Sequence, residues 1–340
     1  MSAARRRRVL VGLALALPVA MLGAASAGSV PLPFFGVLGS LLHGTGLGAG
    51  APLPPPSETI LWVVRLPRVL LAAVVGGGLA VVGATLQSVF RNPLADSGLL
   101  GVGAGAALGA VAAVRLGWAG STFLALPFAA FAGAMTAVLV LYALSQALGG
   151  GTLHELLLTG ISVSALAAAG TSMLLVATEE FRVKTVLFWL AGGLDGRGWM
   201  HLRIASILIL GGGATLLAAA RVLDVLSLGD EEAAALGLPV HFARLVLLAL
   251  AALVAGAATA AAGSIPFVGL VAPHALRPLA GALGRHLLPA AFLAGALLVV
   301  LADLATRVIS QNVDLPLGSV TAFVGAPYFL LALRQSETRR

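Results

Sequence analysis

Between Arg65 and Gly109 the chain reads RLPRVLLAAVVGGGLAVVGATLQSVFRNPLADSGLLGVGAGAALG, two long apolar runs around a polar knot from Gln87 to Ser97. Few folds accommodate this. Apolar runs of such length read as membrane spans. A polar knot between two spans has to reach a membrane face or line a protected cavity, because bare polar backbone is not tolerated in lipid. Arg91, Asn92, Pro93 and Asp96 sit in that knot. The rest of the chain has the same character. Of its residues 59% are hydrophobic and 10% charged, too little charge for an ordinary soluble domain.

Apolar runs and their breaks predict an all-α polytopic membrane protein of about ten transmembrane helices. They fall near 9–29, 66–88, 98–114, 121–147, 155–177, 201–220, 243–262, 266–282, 287–308 and 316–333. No stretch is long or polar enough for a soluble domain, so 1–340 reads as one transmembrane domain. The Gly- and Pro-rich stretch 44–57 reads as an outer loop. Glycines at small-residue spacing, such as Gly101, Gly105 and Gly109 or Gly192 and Gly196, read as helix packing.

An even number of spans puts both termini on one face, and basic residues mark the cytoplasmic face. With both termini there, that face carries Arg5 to Arg8, Arg91, Arg221, Arg244, Arg277, Arg285, Arg334, Arg339 and Arg340, against eight Lys and Arg outside. Arg5 to Arg8, an apolar run and Ala25-Ser26-Ala27 share features of a signal peptide. The run is longer than a usual signal core, so a retained first helix is expected. The net charge of +7 sits at span ends and forms no basic stripe interleaved with aromatics, so nucleic acid is not an expected partner.

Several chemistries lack their residues. There is no cysteine, hence no disulfide or Cys-based metal centre. The single Lys-Thr pair, Lys184-Thr185, is preceded by Val183 where a phosphate-binding loop needs glycine, so ATP has no site here. The six histidines are scattered over separate loops and ends, so no metal site and no intramembrane enzyme is expected. An ion-driven secondary transporter would want paired mid-membrane acids or inverted repeats. Only Asp303 approaches that, and Arg307, one turn on, is its expected structural partner. Pro273-His274 and Arg277 read as a helix break with polar anchoring.

The longest polar interruption on the cytoplasmic side runs from Asp224 to Arg244. Asp230, Glu231 and Glu232 favour a helix N-terminus, and Gly237 with Pro239 stops that helix. A short helix, a loop and a second short amphipathic piece are expected, a compact knob suited to a soluble partner.

A family resemblance lies in the longer motifs. RLPR at 65–68, Gln87, RNPLAD at 91–96, LLGV at 99–102, LLLTG at 156–160, FWLAGGLDGRGW at 188–199, LSLGDEEAAALGLPV at 226–240, GSIPFVGLVAPHALR at 263–277, LADLATR at 301–307 and LPLGSVTAFVGAPYFL at 315–330 occur in order. The chain from about residue 60 onward resembles the FecCD-type permease subunits of ABC importers for vitamin B12, heme and ferric siderophores. The resemblance implies a type II importer architecture: a permease homodimer in the inner membrane, two copies of a soluble ATPase that hold the ATP and Mg, and a periplasmic substrate-binding protein. It implies an iron complex as cargo, with cobalamin as the alternative.

The resemblance also assigns residues. It makes 222–242 the coupling segment, with Asp230 and Glu231 meeting the ATPase. Arg65, Arg68 and Arg307 match arginines that meet acids on the binding protein. Asn92 and Leu94 match one half of a cytoplasmic gate; Leu153 and His154 align with the other half, where relatives often carry small hydroxyl residues. The fifth span, with Ser162, Ser164, Thr171 and Ser172, lies along the translocation path. No cofactor or metal is implied for this chain.

Overall fold

The computed structural model describes residues 3–28, 30–44, 50–148, 153–309 and 315–337; the side chains of 148, 153, 154, 181 and 332–337 lie outside that description. The described residues form α-helices and connecting turns, with no strand among them. In order these are α1 (Ala3–Ser26), α2 (Phe34–Gly44), α3 (Pro55–Thr59), α4 (Leu66–Val89), α5 (Val102–Arg115), α6 (Ala125–Leu148), α7 (Leu153–Val176), α8 (Glu180–Leu190), α9 (Trp199–Ala218), α10 (Ala220–Leu226), α11 (Asp230–Ala235), α12 (Val240–Ala262), α13 (Val268–Ala280), α14 (Gly284–Ile309) and α15 (Leu317–Glu337). A π-helical turn, Ile60–Arg65, joins α3 to α4 without a break.

Each of the ten expected spans coincides with a helix. Among the described residues, seven segments are long and apolar enough to cross a membrane: those containing α1, α4, α6, α7, α9, α12 and α14. The other expected spans are shorter or irregular. Of these, α13 is the informative one. It is 13 residues long, about 20 Å at the α-helical rise. Its start lies against the second half of α4, where Gly83 faces the backbone of Gly269. The segment 263–267 before it is not helical, and Phe267 takes a left-handed conformation at its end. The helix break expected at Pro273 is absent: α13 runs through Pro273 and Pro278. Proline lacks an N–H, so the Gly269 carbonyl one turn earlier has no helical donor. Gln87 Nε2 on α4 donates to that oxygen at 3.2 Å, and Gln87 Oε1 accepts from Arg277 Nη2 at 3.0 Å. A buried glutamine thus repairs what the proline removes.

The centre of the bundle is α4, apolar and buried around nearly its whole circumference, as a helix without a polar face must be. Its glycines let neighbouring backbones touch: a Cβ on Gly83 would lie 1.7 Å from the Gly269 carbonyl oxygen, and one on Gly76 2.3 Å from that of Gly295 on α14. The outer loop expected over 44–57 is partly structured. Glu58, in α3, accepts from Leu53 N at 2.8 Å, from Ser40 Oγ at 2.9 Å and from Trp62 Nε1 at 2.9 Å. Residues 45–49 of that loop lie outside the described residues.

Besides α2, two features were not foreseen. One is α8, which lies between the fifth and sixth expected spans in sequence and packs against α5. The other is a backbone knot at one end of the bundle, where FWLAGG, GSIPF and LPLG meet. Gly193 N donates to Ala262 O at 2.8 Å, and Leu317 N to Gly192 O at 2.9 Å. A Cβ on Gly192 would lie 2.1 Å from Ser264 O, so three motifs far apart in sequence share one close contact.

Candidate functional site

Polar chemistry gathers at the two ends of the bundle. At one end, the start of α4, the last turns of α1 and α14 and the loop after α8 enclose a basin of about 390 Å³ lined by Arg65, Arg68, Asp195 and Arg307 among apolar neighbours. The last carbonyls of α1 have no helical donor of their own. Arg65 Nη1 donates to Ala25 O and Ser26 O, both at 2.8 Å, and Nη2 reaches Val30 O. Arg307 Nη1 donates to Ala24 O at 2.8 Å and to Ala27 O at 3.0 Å. Two guanidiniums therefore close the C-terminal end of α1, where a cation also suits the helix dipole.

Of the three arginines matched to binding-protein contacts, Arg65 is buried and committed to those carbonyls. Arg68 and Arg307 converge on Asp303, whose side chain is 1% exposed. Arg68 Nε lies 2.9 Å from Asp303 Oδ1, and Arg307 Nε lies 3.1 Å from Oδ2. The intrahelical partner expected for Asp303 is thus present, and a second one comes from α4. Arg68 also pairs with Asp195, which is 77% exposed. Asp195 carried no assignment in the sequence; its only signal was its place inside a long motif.

At the opposite end, α10 and α11 form the knob. The second short helix lies before the acidic one, not after it, because α12 begins at Val240 directly beyond Pro239. Asp224 anchors α10 by accepting from the backbone N–H of Gly284 at the start of α14. Gly237, in a left-handed conformation, ends α11 as expected, with Leu238 N donating to Ala233 O at 3.1 Å. Leu228, Leu236 and Phe242 are exposed around the knob, as is Glu231. Asp230 is engaged within the chain: both its oxygens accept from Arg244 Nη2 at 2.8 Å, and Arg91 Nη2 lies 3.7 Å away.

Beside the knob, α4 ends with Arg91 left-handed at φ 49° and Asn92 N donating to Gln87 O at 3.1 Å. The Asn92 side chain closes the turn after it rather than capping the helix before it: its Oδ1 accepts from Leu94 N at 2.9 Å. Leu94 is exposed. Asp96 Oδ1 accepts from Gly98 N at 2.7 Å; burial pushes this carboxyl above the usual range, opposed by that backbone N–H. The backbone of Leu153 and His154 opens α7, but their side chains lie outside the described residues.

On α7, Ser162 and Ser172 lie on the exposed face, while Thr171 is buried and Ser164 is half-buried near Gly101. Ser162, Thr171 and Ser172 bond the carbonyl one turn back, at 3.0, 2.8 and 3.1 Å. Among the described residues no group of His, Asp and Glu is arranged to hold a metal.

The FecCD transport family matches residues 15–335. The cobalamin import system permease protein BtuC of Halobacterium salinarum is 41% identical over 287 residues, 84% of this chain and 76% of that protein. The hemin transport system permease protein HmuU of Yersinia pestis is 43% identical over 284 residues, 82% of this chain and 85% of that protein. Among solved structures, a metal-chelate type ABC transporter in an inward-facing conformation superposes with a TM-score of 0.85 at 29% identity, covering 97% of this chain and 99% of that one.

Proposed function

This chain belongs to the FecCD transport family and is the permease subunit of an ABC importer, and on that premise we propose that it carries an iron complex, heme or a ferric siderophore, across the inner membrane. The observation that carries the cargo reading is the 43% identity to a permease named for hemin. Vitamin B12 is the second reading, favoured by the 41% identity to a cobalamin permease. Uptake of heme, ferric siderophores and cobalamin, measured side by side in vesicles holding the permease, its ATPase and matched binding proteins, separates the two. Cobalamin uptake without uptake of any iron complex overturns the first.

The working assembly is two permease chains, two soluble ATPase subunits that bind ATP and Mg, and one periplasmic binding protein. Both termini face the cytoplasm, residues 1–340 act as one transmembrane domain, and 222–242 is its coupling segment. The Arg68 end then faces the periplasm. Acidic side chains on the binding protein meet Arg68 and Arg307 there, and charge pairing of this kind sets encounter and register more than affinity. Arg65 contributes by holding the end of α1 beneath that surface.

The knob faces the ATPase. Its exposed apolar residues and Glu231 fit a protein groove, and Asp230 keeps α11 rigid through Arg244. Cargo passes along the two-fold axis of the dimer beside α7. Ser162 and Ser172 on the exposed face give that path weak polarity, and Ser164 and Thr171 stabilise its wall. Hydroxyls already bonded to their own helix hold cargo weakly, which suits a route that must release what it passes. Asn92 and Leu94, with Leu153 and His154, form the cytoplasmic gate.

A further inference from the structure

Arg91 occupies a position where its backbone is uncomfortable and its side chain is connected. It is the residue just past the end of α4, at φ 49°. Glycine is the usual occupant of such a position, since a Cβ there is strained. A non-glycine residue persists in that conformation only where its surroundings hold it. Here its side chain points to the knob: Nη2 lies 3.7 Å from Asp230 Oδ1, the first residue of α11. Asp230 is in turn fixed by the buried Arg244 of α12 at 2.8 Å. Asn92 and Leu94 lie just beyond Arg91, in a turn closed by the Asn92 side chain.

We propose that Arg91 is a positioning residue that transmits movement of α11 to the 91–94 turn, so that ATPase docking and gate position are mechanically linked. This rests on the reading of 222–242 as coupling segment and of Asn92 and Leu94 as gate. The link has a firm side and a soft side. Arg244 is 8% exposed at its side chain and holds Asp230 firmly, whereas Arg91 is 45% exposed and held loosely. A loose exposed pair biases a conformational equilibrium by a small factor, up to about fivefold. That suits a linkage that must make and break in every cycle.

The test uses the complete transporter in proteoliposomes and reads ATP hydrolysed per cargo molecule moved. Arg91→Gly keeps, and relaxes, the left-handed backbone while deleting the side chain, so it separates the link from the fold. Arg91→Lys keeps the charge. The expected result is a ratio raised about two- to fivefold in Arg91→Gly and near the parent value in Arg91→Lys, with ATPase association unchanged in both. A parallel Leu94→Cys variant, in a chain that has no cysteine of its own, reports nucleotide-dependent labelling of the turn. Labelling that tracks nucleotide in the parent but not with Arg91→Gly supports the link. Labelling and ratio both unchanged by Arg91→Gly overturn it. Labelling indifferent to nucleotide in the parent overturns the gate reading, and the link with it.

Discussion

Asp303 is the strongest single point of leverage in the basic end. It is a carboxylate inside the last turns of α14, 1% exposed, with Arg68 at 2.9 Å and Arg307 at 3.1 Å. Asp303→Asn keeps the shape and removes the charge, leaving two guanidiniums facing a neutral amide. Removing one partner from a buried ion pair costs about 3–5 kcal/mol. The lower end applies here, because Arg307 keeps two backbone acceptors and Arg68 keeps Asp195. A loss of about 3 kcal/mol corresponds to a fall in Tm of roughly 5 °C for a chain of this size. Thermal unfolding of the detergent-solubilised permease measures it, and a cycle with Arg68→Met measures the pairing itself. A coupling of about 1–3 kcal/mol is expected between the two substitutions. Strict additivity, with each single variant within half a kilocalorie of the parent, refutes the structural pairing. Normal stability in Asp303→Asn with abolished transport, where parent transport depends on pH, would point to a proton relay instead.

Gly83→Ala drives a methyl group into the Gly269 carbonyl and should abolish folded permease in membranes, whereas Gly213→Ala, with nothing within 4 Å, should be neutral; expression and gel filtration decide. Gln87→Leu strands the Gly269 oxygen and the Arg277 side chain and should destabilise by about 2–4 kcal/mol, read by thermal unfolding. Asp230→Arg should impair ATPase association and transport, and Arg244→Asp in the same chain should restore most of both; failure of the swap to rescue would place Asp230 against the ATPase itself. Arg68→Glu should weaken binding-protein docking, with the parent affinity falling as salt rises, and both it and Arg65→Glu should lower thermal stability even without the binding protein.

The spans were legible because lipid imposes a coarse rule, and seven of the ten apolar runs obey it at full length. The short acidic helix was legible too: three acids in a row and the Gly237–Pro239 stop specify the helix found at Asp230–Ala235. What escaped is tertiary. Nothing local marks Asp195 as the partner of Arg68, 127 residues away. The sequence shows Arg65 and Arg68 as equals three residues apart, yet only the fold places the end of α1 beside Arg65 and so buries it. Pro273 was visible as a possible break, but the glutamine that lets the helix continue lies on another span. The shortness of α13 was hidden because Ile265, Pro266 and Phe267 extend its apolar run without extending its helix.

The most direct test asks whether the two polar ends meet different partners from opposite sides of the membrane. The absence of native cysteine allows single thiols to be placed at will. Val64→Cys sits at the rim of the basic basin and Glu231→Cys on the exposed face of α11. Each is labelled with a membrane-impermeant maleimide in proteoliposomes, with the binding protein or the ATPase added. The binding protein should protect Val64→Cys alone, the ATPase Glu231→Cys alone, and the two thiols should be reached from opposite sides. Protection of both thiols by one partner, or labelling of both from the same side, would contradict the assignment of the two ends.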